Sequence, residues 1–493
     1  MIAVHGPVLV VILPLFGALV AALVRRPLLA WAVSLIAAIG SFVVAVALLV
    51  QVRAEGVVSY RIGGWAPEIG IEYRVDAVNG LILVLVTAIA VLTLVYARRS
   101  VLSEIIPERI AWFYAMLMLC LTGLLGMAVT GDAFNVFVFL EISSLSTYVL
   151  IALGRDRRAL VAAYQYLIVG TIGATFYVIG VGLLYLATGT LNLGLIVERL
   201  PEIASPRALI AAEAFIVVGI ALKLALFPLH AWLPNAYAYA PSSATVFLAS
   251  TATKVAVYLL ARYIFGVFGV HLGIGSVAIA SVLIVLSLAA MFIASAAAVF
   301  QNDIKRLLAF SSVAQVGYIT LGLALANQSG ITGAFLHIVN HALMKGAAFM
   351  AVGAIIYRSG TCKLDELSGI GRTMPVTAAA LTIAGLGLIG VPGTSGFISK
   401  YYLVLGAFEA GFWWVALLIV ASSVIAVLYV GRMMEVIWFR EPNQRCRGLG
   451  EAPAEMLAPM VVLAGMTIWF GLDAELPASL AGAAAHVLLG ARP

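Results

Sequence analysis

The stretch AEAFIVVGIALKLALFPLHAWLPNAYAYAPSSATVFLASTATKVAVY, from Ala212 to Tyr258, decides how this chain is read. Much of it is apolar over lengths that suit a bilayer, yet it places Lys223 and Lys254 well inside those runs. A lysine at the centre of a spanning helix costs about 3 kcal/mol or more, so two of them need a reason. Between them lie Pro228, His230, Pro234 and Pro241. Pro228 has no N–H to donate, so it breaks the helix close to Lys223 and should free the carbonyl of Leu224. Broken backbone beside a buried cation is tolerated in a membrane only where it packs on protein or lines a wet cavity. That combination marks an ion path.

Composition agrees. The 493 residues are 64% hydrophobic and 10% charged, with mean hydropathy +1.13, where soluble domains carry about 25% charged residues. The expected fold is an all-α polytopic membrane protein with the lipid bilayer as its surroundings. The net charge of +6 comes from basic residues spread singly or in pairs through loops, which offers no patch for nucleic acid. Cys120, Cys362 and Cys446 form no CxxC or His/Cys cluster, so neither a disulfide scaffold nor a metal site is indicated. The N-terminus lacks a basic leader region and a small-residue cleavage site, and reads as a retained first helix.

A span needs about 20 apolar residues, and by that rule the chain holds fourteen helices, near 4–24, 28–51, 76–97, 110–130, 132–153, 160–187, 208–229, 241–264, 274–299, 305–326, 330–357, 373–410, 412–438 and 455–475. The twelfth carries its own break, GLIGVPGTSGFISK from Gly387 to Lys400, around Pro392 and Gly393. Loops after odd-numbered helices hold 17 Lys and Arg, Arg25 among them, and loops after even-numbered helices hold 6. That bias places both termini on the non-cytoplasmic side. The polar connection from Gln51 to Asp76 alternates around Tyr60 and Ile62, which suits a small hairpin. The two interrupted helices stand five places apart in the chain, so it divides into two inverted five-helix repeats. The expected units are residues 1–109, the repeats 110–265 and 266–440, and 441–493 with helix 14 and a tail.

Several ionisable residues fall inside spans. Glu141 lies mid-helix and is read as the partner of Lys223, or else as a carboxylate satisfied by Ser143 or Ser144. Opposite charges 4 Å apart attract by about 4 kcal/mol at an effective dielectric near 20, and half that at 8 Å, so such a pair can open and close. Lys254 has no acid nearby in sequence and is placed to take a proton from Lys223. His230 could bridge the two through water, or simply hold the kink. His337, His341 and Lys345 recur at i, i+4 and i+8, one polar stripe on one helix face. The stripe suits a proton relay better than zinc, since the glutamate of HExxH is missing. Lys400 follows the second break as Lys223 sits by the first; its other reading is an interfacial anchor beside Tyr401 and Tyr402. Asp132 reads as a helix N-cap, and Asp303, Lys305 and Arg306 as an ordinary loop turn.

Together the motifs GDAFNVFVFLEI, ALKLALFPLHAWLPNAYAYAPSSAT, STATKVAVYLLAR, QNDIKRLLAFSSVAQVGYI, HIVNHALMKGAAFM and GVPGTSGFISKYYL resemble the antiporter-like subunit family. That family is shared by Mrp-type multisubunit Na+/H+ antiporters, respiratory complex I and membrane-bound hydrogenases. The resemblance runs from about residue 70 to 430. It implies fourteen helices with broken helices 7 and 12, and a proton-transfer axis at Glu141, Lys223, Lys254 and Lys400 bridged by histidines. It also implies a bacterial or archaeal cell membrane, other subunits as partners, and protons with Na+ as the ions moved. A lysine at position 400 resembles the D-type Mrp subunit and the N-type complex I subunit. Pro392-Gly393 departs from the two prolines common in the family, which loosens that hinge. No flavin, quinone, nucleotide or iron–sulfur motif is visible, so no cofactor is expected and redox chemistry would belong to partners. The readings are thus an Mrp-type antiporter subunit first, a pumping subunit of complex I or a hydrogenase second, and a non-conducting scaffold third.

Overall fold

The computed structural model describes residues 2–24, 26–202, 206–269 and 277–490. Arg25 and the first residues of the span expected from 274 lie outside them. The elements in order are α1 (Ile2–Val24), α2 (Pro27–Glu55), strands β1 (Val58–Arg61) and β2 (Glu72–Val75), α3 (Ala77–Glu104), α4 (Ile110–Val129), α5 (Ala133–Ala152) and α6 (Arg158–Thr188). A short α7 (Leu193–Arg199) precedes α8 (Pro206–Leu224), α9 (Trp232–Tyr239) and α10 (Ser242–Ala261). There follow α11 (Val277–Ala289, carried on through a π turn and Ser295–Val299), α12 (Ile304–Ala324) and α13 (Gln328–Ser359). The chain closes with α14 (Pro375–Ile389), α15 (Ser395–Glu409), α16 (Trp413–Met434), α17 (Ala454–Leu472) and α18 (Glu475–Leu488).

Among the described residues, 12 helices are long and apolar enough to cross a membrane. The pairs α8–α9 and α14–α15 each make one further, interrupted crossing, which gives the expected fourteen. The hairpin forms as an antiparallel pair with Tyr60 opposite Tyr73 and Arg61 opposite Glu72. What the sequence did not announce is α18, whose Pro477, Ala481, Ala484 and Ala485 are buried where it packs on α3 and α13. The tail is therefore a helix.

The two breaks are built differently. The first helix stops at Leu224, four residues before Pro228, because Ala225 takes a left-handed backbone (φ 59°). Trp232 then donates its indole N–H to the Leu222 carbonyl at 3.0 Å, so a side chain from α9 satisfies an acceptor that the helix end releases. It is thus the Leu222 carbonyl, not that of Leu224, that the break hands to a partner. At the second break Gly390 (φ 87°) ends α14 and Gly393 (φ 85°) lies in the turn with Pro392. A Cβ at Gly396 would collide with the Gly387 carbonyl oxygen, so the two half-helices meet only because position 396 is glycine.

Loop contacts check the helix count independently of charge. Arg99 bonds Glu455 at 3.2 Å, joining the end of the third crossing to the start of the fourteenth, so that the loops after the third and thirteenth share a face. Asn302 bonds Asp365, joining those after the ninth and eleventh. At the other face Gln328 reaches the Gly482 carbonyl and Ser329 reaches Glu409. Each contact links loops of the same parity, which a miscount by one helix would forbid. Lys305 corrects the reading of an ordinary turn: it is buried, and its ammonium donates to the Ala240 carbonyl at 2.6 Å, capping the end of α9.

Asp76 caps α3 and receives a two-pronged ion pair from Arg262, both bonds 2.8 Å, with the acid 4% exposed. Burial alone would raise its pKa, but Arg262 and two backbone N–H groups outweigh that and hold it below the ordinary 3.8. A carboxyl depressed in the folded state contributes stability above its unfolded value and loses it as the pH falls through the folded one. Asp76→Asn keeps the cap and removes the charge. It should lower stability near neutral pH by about 3 kcal/mol, as for a broken buried pair. Thermal unfolding in detergent should show that deficit at pH 7 and a shrinking one below the ordinary carboxylate value of 3.8; a pH-independent deficit would refute the charge role.

Candidate functional site

A lysine inside a bilayer must find oxygen acceptors, and the folded chain supplies them by packing helix against helix. Lys223, the penultimate residue of α8, is 7% exposed and donates to Ser144 Oγ at 2.6 Å and to the Tyr166 hydroxyl at 2.9 Å. Lys254, buried in α10, donates to the Ala249 carbonyl and to Thr253 Oγ1. Lys345, at the middle of α13, donates to the Leu308 carbonyl at 2.7 Å and to Ser311. Lys400 on α15 donates to the carbonyls of Leu388 and Ile389, at 3.0 and 2.8 Å, and to Ser423. It thereby caps α14 across the break and lies 4.5 Å from the centre of the Tyr318 ring. Its reading as an interfacial anchor is set aside, because only Tyr401 of that trio is well exposed.

The histidines stand between these cations. His337 and His341 are one turn apart with rings stacked at 6.1 Å, and both are fully buried. His337 Nε2 meets Gln315 Oε1 at 2.7 Å and Nδ1 meets Ser399 Oγ at 2.8 Å. An amide oxygen only accepts, so with that amide assignment Nε2 carries the proton and Ser399 donates to Nδ1. Ser399 also faces the Gly396 carbonyl at 3.1 Å. It can turn its proton there when Nδ1 gains one. His341 differs: neither ring nitrogen has a protein partner. Lys254 and Lys345 both act electrostatically on His341, and Lys400 and Lys254 on His337.

Two expectations need correction. Glu141 and Lys223 form no ion pair among the described residues; Glu141 lies one turn before Ser144, and its Oε1 is buried without a partner. Nor do Ser143 and Ser144 satisfy it, since both donate to the Leu140 carbonyl. His230 bonds neither Lys223 nor Lys254: it is partly exposed in the break, stacked on Phe227 at 5.2 Å, with Nδ1 unpartnered. The residues that do hold the lysines, Ser144, Tyr166, Ser311 and Ser423, look in sequence like any small or aromatic helix residue. Their signal is tertiary. Asp132 caps α5 as read, accepting from the Asn135 N–H at 2.6 Å.

Known proteins share this architecture. Residues 130–426 match the family described as NADH:quinone oxidoreductase/Mrp antiporter, TM. The N-type subunit of the NADH-quinone oxidoreductase of Desulforudis audaxviator is 41% identical, covering 96% of both chains. The D-type subunit of the Na(+)/H(+) antiporter of Alkalihalophilus pseudofirmus is 29% identical over 89% of this chain and 88% of that one. A chain in the structure of the membrane-bound sulfane sulfur reductase, an archaeal respiratory membrane complex, superposes with a TM-score of 0.91 at 30% identity, covering 98% of this chain and 97% of that one.

Ser399→Ala should leave Nδ1 of His337 buried and unpartnered. Proton-coupled turnover of the complex should fall about tenfold, the weight of one hydrogen bond to a group that becomes charged. Assembly, followed by size-exclusion chromatography, should be normal; unchanged turnover would take His337 off the route.

Proposed function

The chain belongs to the NADH:quinone oxidoreductase/Mrp antiporter transmembrane family, and from that premise we propose that it carries protons along its midplane as one subunit of a larger membrane complex. The observation that supports this reading best is His341. Both ring nitrogens are buried without a protein partner, in a row that also leaves Asn340 Oδ1, Ser395 Oγ and Ser250 Oγ unpartnered. Buried polar groups in such a position take water, and water between imidazoles and amines is a proton wire. The row runs Glu141, Lys223, Lys254, His341, His337, Lys400, with Lys345 as a side branch. His230 is at most a support for the first break. Residues 110–265 and 266–440 are the two inverted repeats in this reading, each contributing one break and its lysine, flanked by 1–109 and 441–493.

The first reading of the driving reaction is exchange of protons for Na+ in an Mrp-type antiporter. A second is redox-driven pumping, and the 41% identity to an N-type NADH-quinone oxidoreductase subunit, against 29% to a D-type antiporter subunit, favours it. The intact complex in proteoliposomes separates them: a Na+ gradient alone moves protons in the first case, and only an electron donor with its acceptor does so in the second. In both, the termini are placed on the non-cytoplasmic side, and a cysteine added at the C-terminus should react with a membrane-impermeant maleimide from outside intact cells.

Lys223→Ala should abolish proton-coupled activity, below about 1% of the parent, while the complex assembles normally. Full activity in that variant would sink the conducting reading and leave a scaffold.

A further inference from the structure

Lys223 has two possible neighbours and stands on one of them. Its ammonium is held by Ser144 and Tyr166, while Glu141, one turn away on α5, keeps a buried oxygen without a partner. A small pocket beside the lysine is lined by Met127, Leu140, Ile220, Ala252, Ala256 and Leu259, none of which can hold a cation, and the Tyr148 hydroxyl is buried without a partner. The lysine thus bonds neutral hydroxyls while a carboxylate oxygen one turn away on α5 has no partner.

Tyr166 is not loosely placed. Its ring meets Tyr148 edge-on at 5.1 Å and lies against Trp232 at 4.4 Å, and the Lys223 amino group lies 5.3 Å from its centre. Trp232 is the residue that closes the break on the Leu222 carbonyl. The hydroxyl that holds Lys223 is thus tied to α9. From α9, Tyr237 donates its hydroxyl to the Leu248 carbonyl at 3.2 Å.

We propose that Tyr166 is the switch partner of Lys223: with Ser144 it holds the amino group off Glu141. This rests on the proton-conducting reading above. Tyr166 acts through Lys223 and is a positioning residue. Without its hydroxyl, Glu141 becomes the stronger acceptor, and the pair closes and stays closed. The other titratable groups around Lys223 are Glu141 and Tyr148 on α5 and Cys120 on α4.

The test uses the assembled complex with Tyr166→Phe and with Lys223→Ala as reference. It reads proton-coupled turnover against pH and the Glu141 carboxylate stretch in infrared difference spectra, assigned by its loss in Glu141→Gln. Tyr166→Phe should be about tenfold slower, the weight of one hydrogen bond to a charged group. Its pH profile should be displaced and its carboxylate band moved towards that of an ion pair. Should the phenylalanine variant not assemble, 3-fluorotyrosine at position 166 keeps the shape and makes the phenol more acidic; the pH profile moves under this proposal and stays put if the ring only packs. A slow Tyr166→Phe with the parent's profile and band overturns the proposal, as does one indistinguishable from the parent. Full activity of Lys223→Ala would instead sink the conducting reading itself.

Discussion

An ammonium group cannot sit in hydrocarbon without oxygen around it, and the architecture meets that demand four times. Lys400 spans a helix break to reach the carbonyls that the break exposes. Lys223 ends its half-helix and reaches across to hydroxyls on α5 and α6. Lys254 and Lys345 use a carbonyl and a hydroxyl each. Breaking a helix is costly in lipid, yet here the broken ends supply acceptors and close packing around Gly390 and Gly396 covers them.

Among the described residues, none of these cations is locked by a carboxylate. That matters for function, because a full ion pair in a low dielectric would trap the charge. In the proposed function, neutral oxygens stabilise an ammonium well enough to permit it and weakly enough to let it give up its proton. The buried ion pair of Asp76 with Arg262 sits at the N-terminal end of α3 and serves the fold. Along α13 the two imidazoles differ in the same functional sense: His337 is fixed by Gln315 and Ser399, and His341 is left to other donors and acceptors.

Much of this is legible in the chain. The fourteen crossings follow from hydrophobic length, and the two breaks from Pro228 and from Pro392-Gly393. Lys223, Lys254, Lys345 and Lys400 stand out because charge inside a span is rare, and the i, i+4, i+8 spacing puts His337, His341 and Lys345 on one face. What escapes the sequence depends on which helices touch. Tyr166 is 57 residues from Lys223, and nothing local distinguishes it from the exposed Tyr164. Glu141 with Lys223 looks like a pair because their charges are complementary, but Ser144 on the next turn is nearer the amino group. His230 looks like a bridge because it lies between two lysines in sequence, whereas in the fold it stacks on Phe227 and bonds neither lysine. The helix α18 reads as a tail, since its small residues carry little hydrophobic signal until α3 and α13 cover them.

The central claim is a continuous, hydrated polar row between the two breaks. The most direct measurement is an electron cryo-microscopy map of the intact complex, sharp enough to show ordered water around His341. The account predicts water within hydrogen-bond reach of both ring nitrogens, continuing to Asn340 and Ser395. A dry site, with apolar side chains closed on His341 from both sides, would contradict it.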